Sequence, residues 1–184
     1  DLGTDYSAYG IKANNKTTIV VDSNKTNPGK NGTISIKAKT LWSPSGDSGS
    51  KYTAAHGIAV GNFSQRFNKK VSEDLLKTTI NADVVIEELR GGSIKTTGIS
   101  SMDCSDLAIN GRFTIKPGAI SLMQWNRGDQ SKTYGIYMIG SNNTISITSA
   151  DIDDSKNGSL SDLIKTDESL WGGKTEKNVL RIGG

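Results

Sequence analysis

One cysteine and one histidine stand in a chain of 184 residues, and that scarcity removes several chemistries at once. Cys104 has no second thiol to meet, so an intrachain disulfide and a disulfide-stapled scaffold are excluded. A zinc site needs several His or Cys ligands, which one of each does not supply. A Ser-His-Asp triad has only His56 available as its shuttling base. Aromatic residues make up 6% of the chain and apolar residues 34%, too little for a thick globular core. No run approaches the length that crosses a membrane as a helix. A phosphate loop is also missing, because Gly91-Gly92-Ser93-Ile94-Lys95-Thr96 lacks the leading glycine spacing of that motif.

Charge of one sign is lacking too. The 22 Lys and Arg are interspersed with 19 Asp and Glu for a net charge of +3, which reads as a solvated surface; no nucleic-acid partner is expected. The densest basic group, Arg66 with Lys69 and Lys70 beside Phe63 and Phe67, reads as an exposed turn.

What fills the chain is Gly, Ser, Thr, Asn and Lys around short β-branched runs, and these runs repeat. Tyr9-Gly10-Ile11 opens a stretch that reaches Asn14-Asn15 and then Thr18-Ile19-Val20. Tyr134-Gly135-Ile136 opens a second that reaches Asn142-Asn143 and then Thr144-Ile145-Ser146-Ile147. His56-Gly57-Ile58 begins a partial third. Between them lie strands that alternate apolar and polar: 32–38, 82–87, 92–96 and 111–116. The copies are unevenly spaced, which suits about two and then about three turns of a solenoid with coils of roughly 20 to 26 residues.

The expected fold is all-β, a parallel β-helix in which each strand turns one face to a narrow interior and the other to water. Asn and Gly are expected at the corners, where they tolerate left-handed backbone. Short helices are expected at 71–77 and 161–165, where a serine precedes acids and then Leu. The whole chain, 1–184, reads as one domain, with 180–184 starting a further strand. A start at Asp1 without an apolar leader suggests a segment of something longer.

These Tyr-Gly-Ile, strand, Asn-Asn, Thr-Ile-x-Ile units resemble the passenger domains of bacterial autotransporters, the β-helical adhesins of Gram-negative surfaces. The resemblance implies export and display on the bacterial cell surface as a rigid adhesin or scaffold. Its partners would be a host or neighbouring-cell surface protein or glycan, or further copies of itself. That family has no single motif for activity, so the resemblance carries no catalytic residue, and no cofactor is expected. A trimeric phage tail fibre or tailspike and a carbohydrate-active β-helix enzyme are the alternatives.

His56 fills the slot that Tyr9 and Tyr134 fill in the other copies, so its expected role is packing. Cys104 reads as a small buried thiol. The acids Asp83, Glu87 and Glu88, and Asp103 with Asp106, are the carboxylates a glycosidase would use if the fold brought two together; their expected role is surface decoration. Asp151, Asp153, Ser155 and Asn157 place oxygen ligands along a loop ending in Gly158, a partial match to a calcium loop. Trp42, Trp125 and Trp171, each beside Gly, Ser, Asn or Arg, are the candidate binding residues.

Overall fold

A computed structural model describes residues 7–13, 16–21, 31–39, 54–61, 77–91, 95–122, 132–152, 162–167 and 177–183. Thirteen strands run through them: β1 (Ala8–Ala13), β2 (Thr17–Val20), β3 (Thr33–Lys39), β4 (Ala55–Gly61), β5 (Lys77–Asn81), β6 (Asp83–Gly91), β7 (Lys95–Met102), β8 (Asp106–Ile115), β9 (Ile120–Leu122), β10 (Lys132–Ile139), β11 (Thr144–Ile152), β12 (Asp162–Asp167) and β13 (Val179–Ile182). The expected all-β class holds, with parallel sheets and, among the described residues, no helix. The helix expected at 161–165 is instead β12, which pairs with β10 from Tyr134 to Ile139; the ladder hydrogen bonds outweigh a weak capping pattern. Of the helix expected at 71–77, residues 71–76 lie outside the described residues, and Lys77 opens β5.

One sheet orders its strands β1-β4-β7-β10-β12. A second orders them β13-β11-β8-β5-β2, with a branch at β8, where β6 pairs β8 and also pairs β3 and β9. Neighbours are far apart in sequence and every pairing among them is parallel. Registration stacks like on like. Ile11, Ile58, Ile99, Ile136 and Ile164 form one row across the first sheet. Ile19, Ile80, Ile109, Ile147 and Ile182 form a second across the other. Ile36, Ile86, Ile115 and Ile152 form a third, where β3 and β6 extend that sheet. Most of these side chains are buried in one apolar cluster with Leu89, Leu107, Phe113 and Ile145. Burying each isoleucine contributes about 1.5–3 kcal/mol, so the rows are the main cohesive element.

Two expectations are corrected here. Tyr9 pairs directly with His56, and only Thr97 stands between His56 and Tyr134. The intervals between the repeats are therefore one and two strand-to-strand steps, each using more chain than roughly 20 to 26 residues. Half-burial holds for β8, whose residues alternate between buried and accessible, but not for the first sheet. There Ala59, Thr97 and Ser100 are fully buried and Tyr134 and Tyr137 nearly so, although they lie on the face opposite the isoleucine row. Strands β4, β7 and β10 are thus covered on both sides, as parallel strands commonly are.

The turns repeat as well. Cys104, Asn142 and Lys177 have φ of 56, 57 and 61°, each two residues before register-matched Asp106, Thr144 and Val179. The expected Asn is present once; Cys and Lys hold the same left-handed corner in the adjoining turns, at a cost of about 1–2 kcal/mol each. Stacked neighbours evidently over-determine the bend.

Candidate functional site

Behind each left-handed residue comes a side chain that turns inward: Ser105, Asn143 and Asn178. Asn143 is fully buried and acts as the hub. Its Oδ1 accepts from Ser101 Oγ at 3.1 Å and from Ser105 Oγ at 2.9 Å, and those two hydroxyls also contact each other. Its Nδ2 donates to the Ile139 carbonyl at 2.9 Å and to Asn178 Oδ1 at 3.1 Å, and its backbone N–H donates to the same Asn178 oxygen. Asn178 Nδ2 in turn donates to the Gly140 carbonyl. The corner's buried polar groups therefore satisfy one another from one strand level to the next.

Outside this corner lies a depression of about 390 Å³ lined by Lys77, Cys104, Ser105, Asp106, Asn142, Thr144 and Lys177. Cys104 is partly exposed on it, not the buried strand thiol expected, because a corner residue has its side chain at the surface. Two ammonium groups, one carboxylate, an amide and hydroxyls can hydrogen-bond a polar group there.

On the outer face of the first sheet, Tyr9 stacks on His56 with ring centroids 5.3 Å apart, and Lys12 Nζ stands 4.5 Å from the Tyr9 centroid. His56 Nδ1 lies 2.6 Å from Thr97 Oγ1. Register therefore places His56 in the slot of Tyr9 and Tyr134, with the hydroxyl of Thr97 between. Tyr134 stacks on Tyr137 at 5.0 Å, and the Tyr137 hydroxyl donates to Asp167 at 2.8 Å. Burial, that hydrogen bond and the neighbouring carboxylate charge push the Tyr137 phenol upward.

The face around β3, β6 and the far half of β8 carries two close ion pairs. Lys116 Nζ pairs with Glu87 at 2.6 Å, and Arg112 pairs with Asp151 at 2.6 Å. The hydrogen bond from Lys116, with help from its charge and that of Lys37, holds the Glu87 carboxyl below its usual range despite some desolvation. Asp83 Oδ1 accepts from the Arg112 backbone N–H at 2.8 Å, Glu88 lies 3.9 Å from Arg90, and Asp103 Oδ1 accepts from the Ser141 N–H. Asp106 is separate from these, at the depression.

Of the proposed calcium ligands, Asp151 is the Arg112 partner, while Asp153, Ser155 and Asn157 lie outside the described residues. Trp42, Trp125 and Trp171, and the basic group at Arg66, Lys69 and Lys70, lie outside them too. Among the described residues no group of three or more His, Cys, Asp or Glu is placed to hold a metal ion. Among them, too, no helix is long and apolar enough to cross a membrane.

Sequence reading missed Thr97-Gly98-Ile99, a fourth copy of the repeat that registers between the second and third. Requiring an aromatic or His before the glycine hid it; the Gly-Ile pair alone finds all four. Comparison of the chain with known protein families, curated proteins and solved structures returns no match.

Proposed function

We propose that this chain is a segment of a parallel β-helix, secreted or displayed at a bacterial surface, that acts as a rigid adhesin or scaffold without catalysis. The observation that carries this reading is the strand order: the chain returns to the first sheet at β1, β4, β7, β10 and β12 and visits the second sheet between those returns, with parallel neighbours stacked isoleucine on isoleucine. Stacking of that kind builds a pre-ordered surface, which loses little conformational entropy when it binds a glycan or protein on another cell. The charged outer face around Glu87, Lys116, Arg112 and Asp151 adds support, since neighbouring side chains there are held in pairs across strands.

Small-angle scattering with mass determination tests the architecture: an elongated monomer is expected, a compact particle refutes the β-helix, and an elongated trimer moves the reading to a phage fibre. Binding of the labelled chain to arrayed glycans and matrix proteins tests the function. Saturable binding to one class is expected; no binding by a folded, elongated chain refutes adhesion.

A further inference from the structure

The first sheet obeys a rule that its last strand breaks. At Gly10, Gly57, Gly98 and Gly135 a β-carbon would stand 2.7, 2.6, 2.6 and 2.8 Å from the carbonyl oxygen of the facing residue on the next strand, namely Gly57, Gly98, Gly135 and Leu163. Side-chain carbons essentially never come that close, and a carbonyl held within a ladder has little room to retreat. The paired registers jump across each of these positions, from Tyr9↔His56 to Ile11↔Ile58 and from Tyr134↔Asp162 to Ile136↔Ile164. Among the described residues, each strand of the first sheet that has a neighbour after it thus carries glycine here. Strand β12 carries leucine.

Leu163 also fills a gap. Its Cδ1 lies 3.0 Å from the point where a Gly135 β-carbon would stand, a place held over Gly57 and Gly98 by Ile86 Cδ1 and Ile115 Cδ1 at 2.6 and 2.7 Å.

In other respects this end of the sheet is ready for another strand. Among the described residues β12 is an outermost strand of its sheet and β13 of the other, and their Leu163, Ile164 and Ile182 are 38, 46 and 46% exposed. Two isoleucine rows finish at Ile164 and Ile182, and the same rows begin at Ile11 and Ile19 on the opposite outermost strands, β1 and β2. A second copy arriving with its β1 and β2 edges would continue both rows. Repetition of that contact is head-to-tail and does not close, which is the geometry that generates filaments.

We propose that Leu163 prevents this addition: its β-carbon stands where the Gly10 carbonyl of an incoming second copy would need to be. The inference rests on the parallel ladder and is independent of surface display or adhesion. Sedimentation velocity of the full chain over a wide concentration range tests it. The natural sequence keeps one mass throughout. Leu163→Gly, folded by circular dichroism, associates reversibly, its average mass rising about twofold or more with concentration. Leu163→Ala loses the same apolar contacts but keeps the β-carbon, and stays at the natural mass. A folded glycine variant with constant mass overturns the proposal, and so does an alanine variant that associates like the glycine one. Should the glycine variant not fold, the other two chains still decide: concentration-dependent end-to-end association of either one overturns it.

Discussion

Replacing Gly98 with alanine places a β-carbon 2.6 Å from the Gly135 carbonyl oxygen and 2.7 Å from Ile115 Cδ1. The isoleucine methyl can swing aside, but the carbonyl belongs to β10, which pairs with β7 along its whole length. Ordinary contact begins at 3.4 Å, so the two strands must part locally by roughly 0.8 Å. Added to a ladder bond of about 2.9 Å, that displacement exceeds hydrogen-bond range. Losing one or two buried ladder bonds costs about 1–3 kcal/mol apiece, and overpacking adds about 1–3 kcal/mol. The lower half of these ranges, about 3–5 kcal/mol, is already a large share of a typical domain's stability of about 5–15 kcal/mol. The control is Gly118→Ala, where φ is +70° and no atom lies within 4 Å: only the left-handed backbone penalty applies, about 1 kcal/mol. In urea unfolding followed by far-ultraviolet circular dichroism, with a slope of about 2 kcal/mol/M, Gly98→Ala lowers the midpoint by about 2 M and Gly118→Ala by about 0.5 M. Equal midpoint shifts for the two variants would refute the ladder argument.

Asn143→Ala strips partners from the Ser101 and Ser105 hydroxyls, the Ile139 carbonyl and Asn178; a loss of about 2–4 kcal/mol is expected, seen as a fall in Tm of roughly 5–12 °C, and a fall under 2 °C contradicts it. Thr78 Oγ1 is buried without a hydrogen-bond partner in a row continued by Leu107 and Ile145, so Thr78→Val, of the same shape, raises stability by about 1 kcal/mol; a destabilised variant means the hydroxyl is satisfied. Tyr137 has its proton held above the ordinary tyrosine range in the fold, so its contribution is complete below the unfolded value near pH 10 and is lost as pH rises toward the folded one. An absorbance titration at alkaline pH should therefore show a tyrosine step delayed until unfolding, and Tyr137→Phe should remove that step. A titration that Tyr137→Phe leaves unchanged excludes the assignment.

The chemistry of the outer surface follows from the same stacking. Parallel registration brings Lys116 to Glu87 and Arg112 to Asp151 from neighbouring strands, so acids that look paired along the sequence meet cations across it. That spends the carboxylates of Glu87 and Asp151 on ion pairs and leaves a patterned, mixed-charge face. The corner depression differs from it. Lys77 and Asp106 face each other there in register on β5 and β8, with Lys177 and Asn142 lining the same hollow.

Alternation within a run is local, and it is sufficient to place strands at 32–38 and 82–87, where the structure runs β3 over 33–39 and β6 over 83–91, and to turn Ile34, Ile36, Val84 and Ile86 toward an apolar interior. The repeated Gly-Ile pair was likewise legible, as was the slot shared by Tyr9, His56 and Tyr134. Which strands become neighbours was not legible, because closing a longer loop adds only a logarithmic entropy cost, so spacing hardly constrains pairing. That is why the spacing from Tyr9 to His56 suggests about two turns while the structure makes it one step. The helix pattern at 161–165 failed for a related reason: Ser, acid and Leu satisfy a local rule, while pairing with β10 imposes a distant one. Cys104 and Lys177 at left-handed corners carry no turn signal of their own and take that backbone from the stacked turn around Asn142. The sequence by itself determined the all-β class, the inward-facing residues and the repeating unit, since each depends on residues a few places apart. Only the tertiary structure decided the neighbours of each strand, the burial of the first sheet on both faces, and the place where Leu163 interrupts the glycine row, since each depends on what packs across strands distant in sequence.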